Sequence, residues 1–140
     1  MSLPISYFLA KPFYFKDREI LPMVKNDIIS CIPDEENGVT IIKMLKKSSK
    51  SDKLYELIIQ IDTVDAISSR NLIKVHCECA NFKFQCKSLL WKYDSLYGEP
   101  DVKQLPKKHS KPYVCKHLYA AILLLNRLNN VQSIIKLLGE

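Results

Sequence analysis

Two short motifs carry residue types suited to metal chemistry: Cys77-Glu78-Cys79 and, well downstream, Cys115-Lys116-His117. Three thiols and one imidazole make a Cys₃His set, a standard closed zinc arrangement in which four protein ligands leave no position open for water or substrate. A thiolate-rich set favours zinc over copper(II), calcium or magnesium, and the single His makes an iron–sulfur cluster the poorer fit. The expectation is one zinc per chain on Cys77, Cys79, Cys115 and His117.

The residues around each pair are suited to hold it. Residues 72–79 alternate, with Ile73, Val75, Cys77 and Cys79 on one side. Residues two apart in a strand point the same way, so both sulfurs face one side of a sheet. Cys115 and His117 lead into an apolar helical run, Leu118 to Leu128. The N-terminal end of a helix, with its free N–H groups and positive dipole end, stabilises a thiolate. The zinc would therefore join the end of a sheet to the start of a helix.

Other donors compete weakly. His76 neighbours Cys77 and is expected on the opposite strand face, and His109 could replace His117 only if its loop folded back. Cys86 can serve as an alternative ligand, against its plainer reading as a small buried hydrophobe, and Cys31 reads as core. No paired carboxylates form a recognisable catalytic motif, and with three Gly in the chain there is no phosphate-cradling loop. A Cys115–His117 nucleophile would leave Cys77 and Cys79 unexplained. The chain reads as a non-enzyme with no small-molecule substrate.

Composition bounds the rest. At 140 residues, a chain folded as one domain buries roughly two-thirds of its unfolded surface. The net charge is +6, but 18 of the 21 basic residues are Lys and only Arg18, Arg70 and Arg127 are Arg. Arg is the usual reader of bases and bidentate clamp of phosphate, so the excess reads first as a solvated surface. Five Cys is an odd number, suited to metal-bound thiolates in a reducing compartment rather than to a disulfide framework. Met1-Ser2-Leu3-Pro4 lacks the charged and apolar regions of a signal peptide, and the longest apolar run, residues 118–125, is too short to span a membrane.

The remaining elements follow from pattern. Residues 5–15, with Tyr7, Phe8, Phe13, Tyr14 and Phe15 broken by Pro12, read as short extended pieces. Residues 18–31 fit helix or strand, and 33–38 form a turn. Residues 39–45 and 54–64 pair as an antiparallel hairpin with a long polar tip. In the spacer, Leu89, Tyr93 and Leu96 have helical spacing, ended by Gly98-Glu99-Pro100, and residues 101–112 form an exposed basic loop. Residues 116–128 make one helix and 131–138 another, the second with Val131, Ile134, Ile135 and Leu138 on one face.

Fold class is therefore α+β, a small antiparallel sheet packed on C-terminal helices. The chain is organised as a single domain, 1–140: an extended aromatic segment 1–36, a zinc-binding ββα-like module 37–128 with a long insert 80–114, and a C-terminal helix 129–140.

Tyr55-Glu56-Leu57, Cys77-Glu78-Cys79, Phe82 and Cys115-Lys116-His117-Leu118 together resemble the SWIM-type zinc-binding module over about half of the chain. That family shows a strand with an early Tyr, then Cys-x-Cys and an aromatic, and closes with Cys-x-His opening an apolar helix. The resemblance implies zinc on the same four residues in a ββα arrangement. The spacer is long for the family and is similar to a variant found in some tailed-phage proteins.

Two functions follow. In the first, the protein is a non-catalytic assembly module with protein partners; the phage resemblance implies a minor virion protein of the connector, tail or baseplate, and otherwise a cytoplasmic one. In the second, it is a nucleic-acid-binding accessory protein. Lys103, Lys107, Lys108, Lys111 and Lys116 would contact phosphates, with Lys92 nearby, and Tyr93, Tyr97 and Tyr113 could stack on bases. The scarcity of Arg favours the first.

Overall fold

Alternating apolar residues build the sheet. The computed structural model describes residues 2–10, 22–47, 52–79, 82–99 and 111–139. Its strands are β1 (Leu3–Pro4), β2 (Ile28–Asp34), β3 (Val39–Lys47), β4 (Leu54–Ile61) and β5 (Leu72–Cys77), in one antiparallel sheet of order β1-β5-β4-β3-β2. The register aligns three cross-strand rows on one face: Thr40 with Ile61 and Ile73, Ile42 with Ile59 and Val75, and Met44 with Leu57 and Cys77. All nine are buried. Cys77 thus stands at the end of a core row, while the row carrying Lys43, Ile58 and His76 faces the other way and is only half-buried.

Helices cover the core face. α1 is Ile5–Ala10, α2 Lys87–Lys92, α3 Lys116–Leu128 and α4 Val131–Leu138. α3 packs on β5 and α1, and α4 packs on β2. The buried stripe of α3, Leu118, Ala121, Ile122 and Leu125, has the three- and four-residue spacing of one helix face. Burying each such Leu or Ile contributes about 1.5–3 kcal/mol. Asn129 ends α3 in the left-handed conformation at φ 49°, and Asn130 starts α4, its side chain accepting from the N–H groups of Gln132 and Ser133 at 2.8 and 3.2 Å. Two adjacent Asn residues thus make the corner that turns the chain from α3 into α4, Asn being among the best residues for both roles. No helix among the described residues is long and apolar enough to cross a membrane.

The α+β architecture, the 39–45/54–64 hairpin and both C-terminal helices are as the sequence predicts. Three expectations change. The N-terminal aromatic segment is not extended at residues 5–10: Ile5 and Phe8, one turn apart, are buried as the inner face of α1. Residues 11–21, which carry Phe13, Tyr14 and Phe15, lie outside the described residues. Residues 28–34 settle the helix-or-strand ambiguity as β2, so the segment before the hairpin supplies two strands to the sheet. In the spacer, α2 stops at Lys92 and Leu96 is not on its helical face. Asp94 takes a left-handed φ of 56°, and the chain then runs alongside β5, with Val75 N–H donating to Ser95 O and Tyr97 N–H donating to Val75 O, both at 2.9 Å. Two sheet hydrogen bonds outweigh one more helical turn. The basic loop falls mostly outside the described residues, but Pro112 at its end is buried and its carbonyl accepts from Tyr7 Oη at 2.8 Å.

The corner gives a test. Asn130→Ala removes both capping bonds of α4 and is expected to cost about 1 kcal/mol of stability, read as a lower denaturant midpoint with an unchanged slope. No shift in midpoint would mean that the α3–α4 corner is held by packing alone.

Candidate metal centre

β5 and α3 bring the two half-motifs together. Cys77 is the last residue of β5 and Cys79 lies two residues beyond it. Cys115 is the residue that caps α3, in extended conformation, and His117 is the second residue of the helix. One ligand atom from each of Cys77, Cys79, Cys115 and His117 lies within 4.8 Å of every other, and all four residues are buried. Tetrahedral donors at zinc–sulfur bond length stand about 3.8 Å apart, so this set closes on one ion with only small side-chain adjustment.

The donors fit a metal on two further grounds. None of the five cysteines is joined in a disulfide, so the thiols remain available as donors. His117 Nδ1 is buried without a hydrogen-bond partner, a costly arrangement for an imidazole nitrogen unless another group satisfies it.

The thiols are strongly coupled. Cys79 is held well below the usual thiol range, first by its hydrogen bond with Cys115, then by that with Cys77, with a smaller contribution from His117. Cys115 is pushed up, first by burial and then by hydrogen bonds and charge from Cys77 and Cys79. For Cys77 the hydrogen bond with Cys115 pulls down, but the hydrogen bond and charge of Cys79 together with burial win, and the thiol rises to about 12. Burial and mutual charge thus favour protons on Cys77 and Cys115 while Cys79 is favoured as the thiolate. A divalent cation would take the place of the retained protons and leave the net charge of the cluster unchanged.

The surroundings hold the donors in place. Phe82 is buried, and its N–H donates to Cys79 Sγ at 3.5 Å. Lys83 N–H donates to Cys79 O at 3.1 Å, folding the chain back over the cluster. Glu78, between the first two ligands, is tied to β4 on both sides: its N–H donates to Glu56 O at 3.2 Å, and its Oε1 accepts from Glu56 N–H at 2.7 Å. The Tyr55 ring lies 5.3 Å from the His117 ring, tilted by 53°. Such supporting contacts fix ligand orientation and tune donor basicity.

Comparison with protein-family models, with curated proteins and with solved structures gives no match. The site is therefore read from its own geometry.

All four predicted ligands meet. His76 faces away from Cys77, as expected, and makes an edge-on contact with the Phe82 ring at 5.7 Å. Cys86 is fully buried and outside the four-donor cluster. Its thiol is pushed up by burial first and then by the charges of Cys79 and Cys77, so it packs behind the site as a neutral hydrophobe. Cys31 is half-buried on β2, away from the cluster, with its thiol raised to about 11 by burial. His109 lies outside the described residues, as do Lys103, Lys107 and Lys108. Lys111 is exposed, and Lys116 is half-buried in the first turn of α3. The role of Glu78 as a brace was not foreseen: its place between two ligands is a signal, but its partner is a backbone group that no sequence pattern names.

Two outcomes are expected. Cys115→Ser, or Cys77→Ser, abolishes metal retention and unfolds the junction, seen as loss of amide-exchange protection across α3 and α4; a metal-free variant with native protection would refute this dependence. Metal uptake should release protons, because burial and neighbouring thiols raise Cys77 and Cys115 and keep them protonated at neutral pH. Apparent affinity then falls as pH falls, by about tenfold per unit for each proton displaced. Calorimetry in buffers of differing ionisation enthalpy counts those protons, and a count of zero would overturn the assignment.

Proposed function

We propose that Cys77, Cys79, Cys115 and His117 hold one structural zinc ion, and that the protein is a non-catalytic, SWIM-like module that acts through protein–protein assembly. The observation that carries the reading is the buried cluster of four protein donors. Three sulfurs and one imidazole suit zinc best among the common metals. Four protein ligands complete a tetrahedron, so the ion's contribution is to stability rather than to chemistry on a substrate. Structural zinc in small domains contributes about 10 kcal/mol or more of apparent binding energy, which appears as folding energy. Here it would tie the end of β5 to the first turn of α3.

The SWIM assignment rests on the ligand pairs together with Tyr55 and Phe82, both of which stand beside the ligands. A place in a tailed-phage connector, tail or baseplate rests on the resemblance of the long spacer alone. Binding of nucleic acid through Lys103, Lys107, Lys108, Lys111 and Lys116 is the outcome that would displace assembly, and no contact within the described residues favours it.

The test is elemental analysis of chelator-free protein, with its ultraviolet spectrum, followed by cross-linking in the source cell or particle. One zinc per chain, a protein-like spectrum and cross-links to protein chains that survive high salt are expected. Co-purifying nucleic acid lost steeply as salt rises would replace assembly by phosphate binding. Folded protein without metal would remove the zinc reading.

A further inference from the structure

The positive charge of this protein is concentrated in one part of the chain. Residues 102–139 hold seven basic residues and no acid, whereas the rest of the chain holds fourteen bases and fifteen acids. The net charge of +6 therefore comes entirely from the C-terminal stretch that ends in α3 and α4.

Part of that charge converges on a cavity. Lys25, from the short 3₁₀ turn Lys25–Asp27, Arg127, from the last turn of α3, and Lys136, from α4, line a cavity of about 390 Å³ together with Leu128, Ser133 and Leu137. None of these three cations has an ion-pair partner among the described residues. Asp27, the acid nearest in sequence to Lys25, is occupied by Lys46 Nζ at 3.4 Å and Val24 N–H at 2.9 Å; Glu140, the acid nearest to Lys136, lies outside the described residues. Leu137 is 39% exposed at the rim.

Arg127 also borders a second cavity, of about 320 Å³, whose other walls are Pro22, Met23, Tyr119, Ala120, Leu123 and Leu124. One arginine thus stands between a basic hollow and an apolar one. Arg suits that position, since its stem packs on apolar surface while its guanidinium binds a carboxylate in two places. Nucleic acid fits the pair less well, because the second hollow has one aromatic wall, Tyr119, among aliphatic ones, Met23, Leu123 and Leu124, which suit apolar side chains better than stacked bases.

We infer that the α3–α4 surface docks an acidic amphipathic segment of a partner protein, its apolar side chains in the Tyr119–Leu124 hollow and its carboxylates on Arg127, Lys136 and Lys25. This deepens the assembly reading and rests on it. The recognition mode is a helix or turn laid into a groove, with charge setting orientation and apolar burial supplying affinity.

The test uses full-length, zinc-loaded protein and a labelled synthetic peptide with leucines at helical spacing and glutamates between them, followed by fluorescence anisotropy. The wild-type protein is expected to bind it, and R127E/K136E, whose changed positions are exposed, to bind at least about tenfold more weakly, while keeping one zinc and its amide-exchange pattern. Replacing the leucines of the peptide by serine should cost as much, a readout that needs no altered protein. Lys136→Glu alone serves if the double variant does not fold. The proposal is overturned if wild type ignores the peptide, if charge reversal leaves binding unchanged, or if oligothymidine binds more tightly than the peptide. The first two outcomes leave the assembly reading standing, since its cross-links to protein are scored separately.

Discussion

Sulfur and imidazole donors buried within a few ångströms of one another are a costly arrangement unless something holds them. Thiols are poor hydrogen-bond partners, and two of the three here are driven to keep their protons while the third loses its own. The cluster is nonetheless placed where the architecture needs a bond: between the last strand of a sheet and the first turn of the helix that covers it. Apolar packing alone positions α3 along its length, through Leu118, Ala121, Ile122 and Leu125. The donors fix where along β5 that helix begins. A cation with a thiolate preference would turn that electrostatic problem into a bond between β5 and α3.

The rest of the fold follows from that junction. Cys77 belongs to the same cross-strand row as Leu57 and Met44, so the site is continuous with the core rather than appended to it. Glu78 ties the ligand turn to β4, Phe82 caps Cys79, and Tyr55 lies against His117. On the far side of β5, the chain after α2 pairs with Val75 while Leu3 and Pro4 pair with Ile73 and Leu72. The two segments also meet each other: Leu3 N–H donates to Ser95 Oγ at 2.7 Å, and Ser2 Oγ donates to Asp94 O. The N-terminus and the spacer, far apart in sequence, together complete the strand that carries the first ligand.

How much of this was legible in the sequence depended on how local the cause was. The ligand set was legible because donor type and spacing coincide at Cys77 and Cys79, and because a helix visibly starts at Cys115; strand alternation holds only as far as Cys77, where β5 ends two residues before the expected Cys79. The β3–β4 hairpin and both C-terminal helices were legible from periodicity. β1 was not: two residues have no period, and their pairing depends on β5 and on Ser95. α1 was misread because aromatics and a nearby proline suggest extended chain, whereas Ile5 and Phe8 one turn apart form a helical inner face once α3 is there to receive them. Leu96 was misread for the same reason, since its helical spacing yielded to a β-bridge with Val75, a contact from distant sequence.

The edges of the sheet are unequal. The β5 side is finished by β1 and the Ser95–Tyr97 backbone, whereas β2 is the last strand on the other side among the described residues. An open edge invites another chain to pair with it, and β2 carries Ile32 at 60% exposure, which adds to that hazard. It also carries a register shift between Ile28 and Ser30, Pro33 with no N–H to donate, and Asp34 at its end. These features spoil the ladder a newcomer would need. A second copy meeting this edge would thus find no regular ladder to extend, which guards the fold against sheet-to-sheet polymerisation.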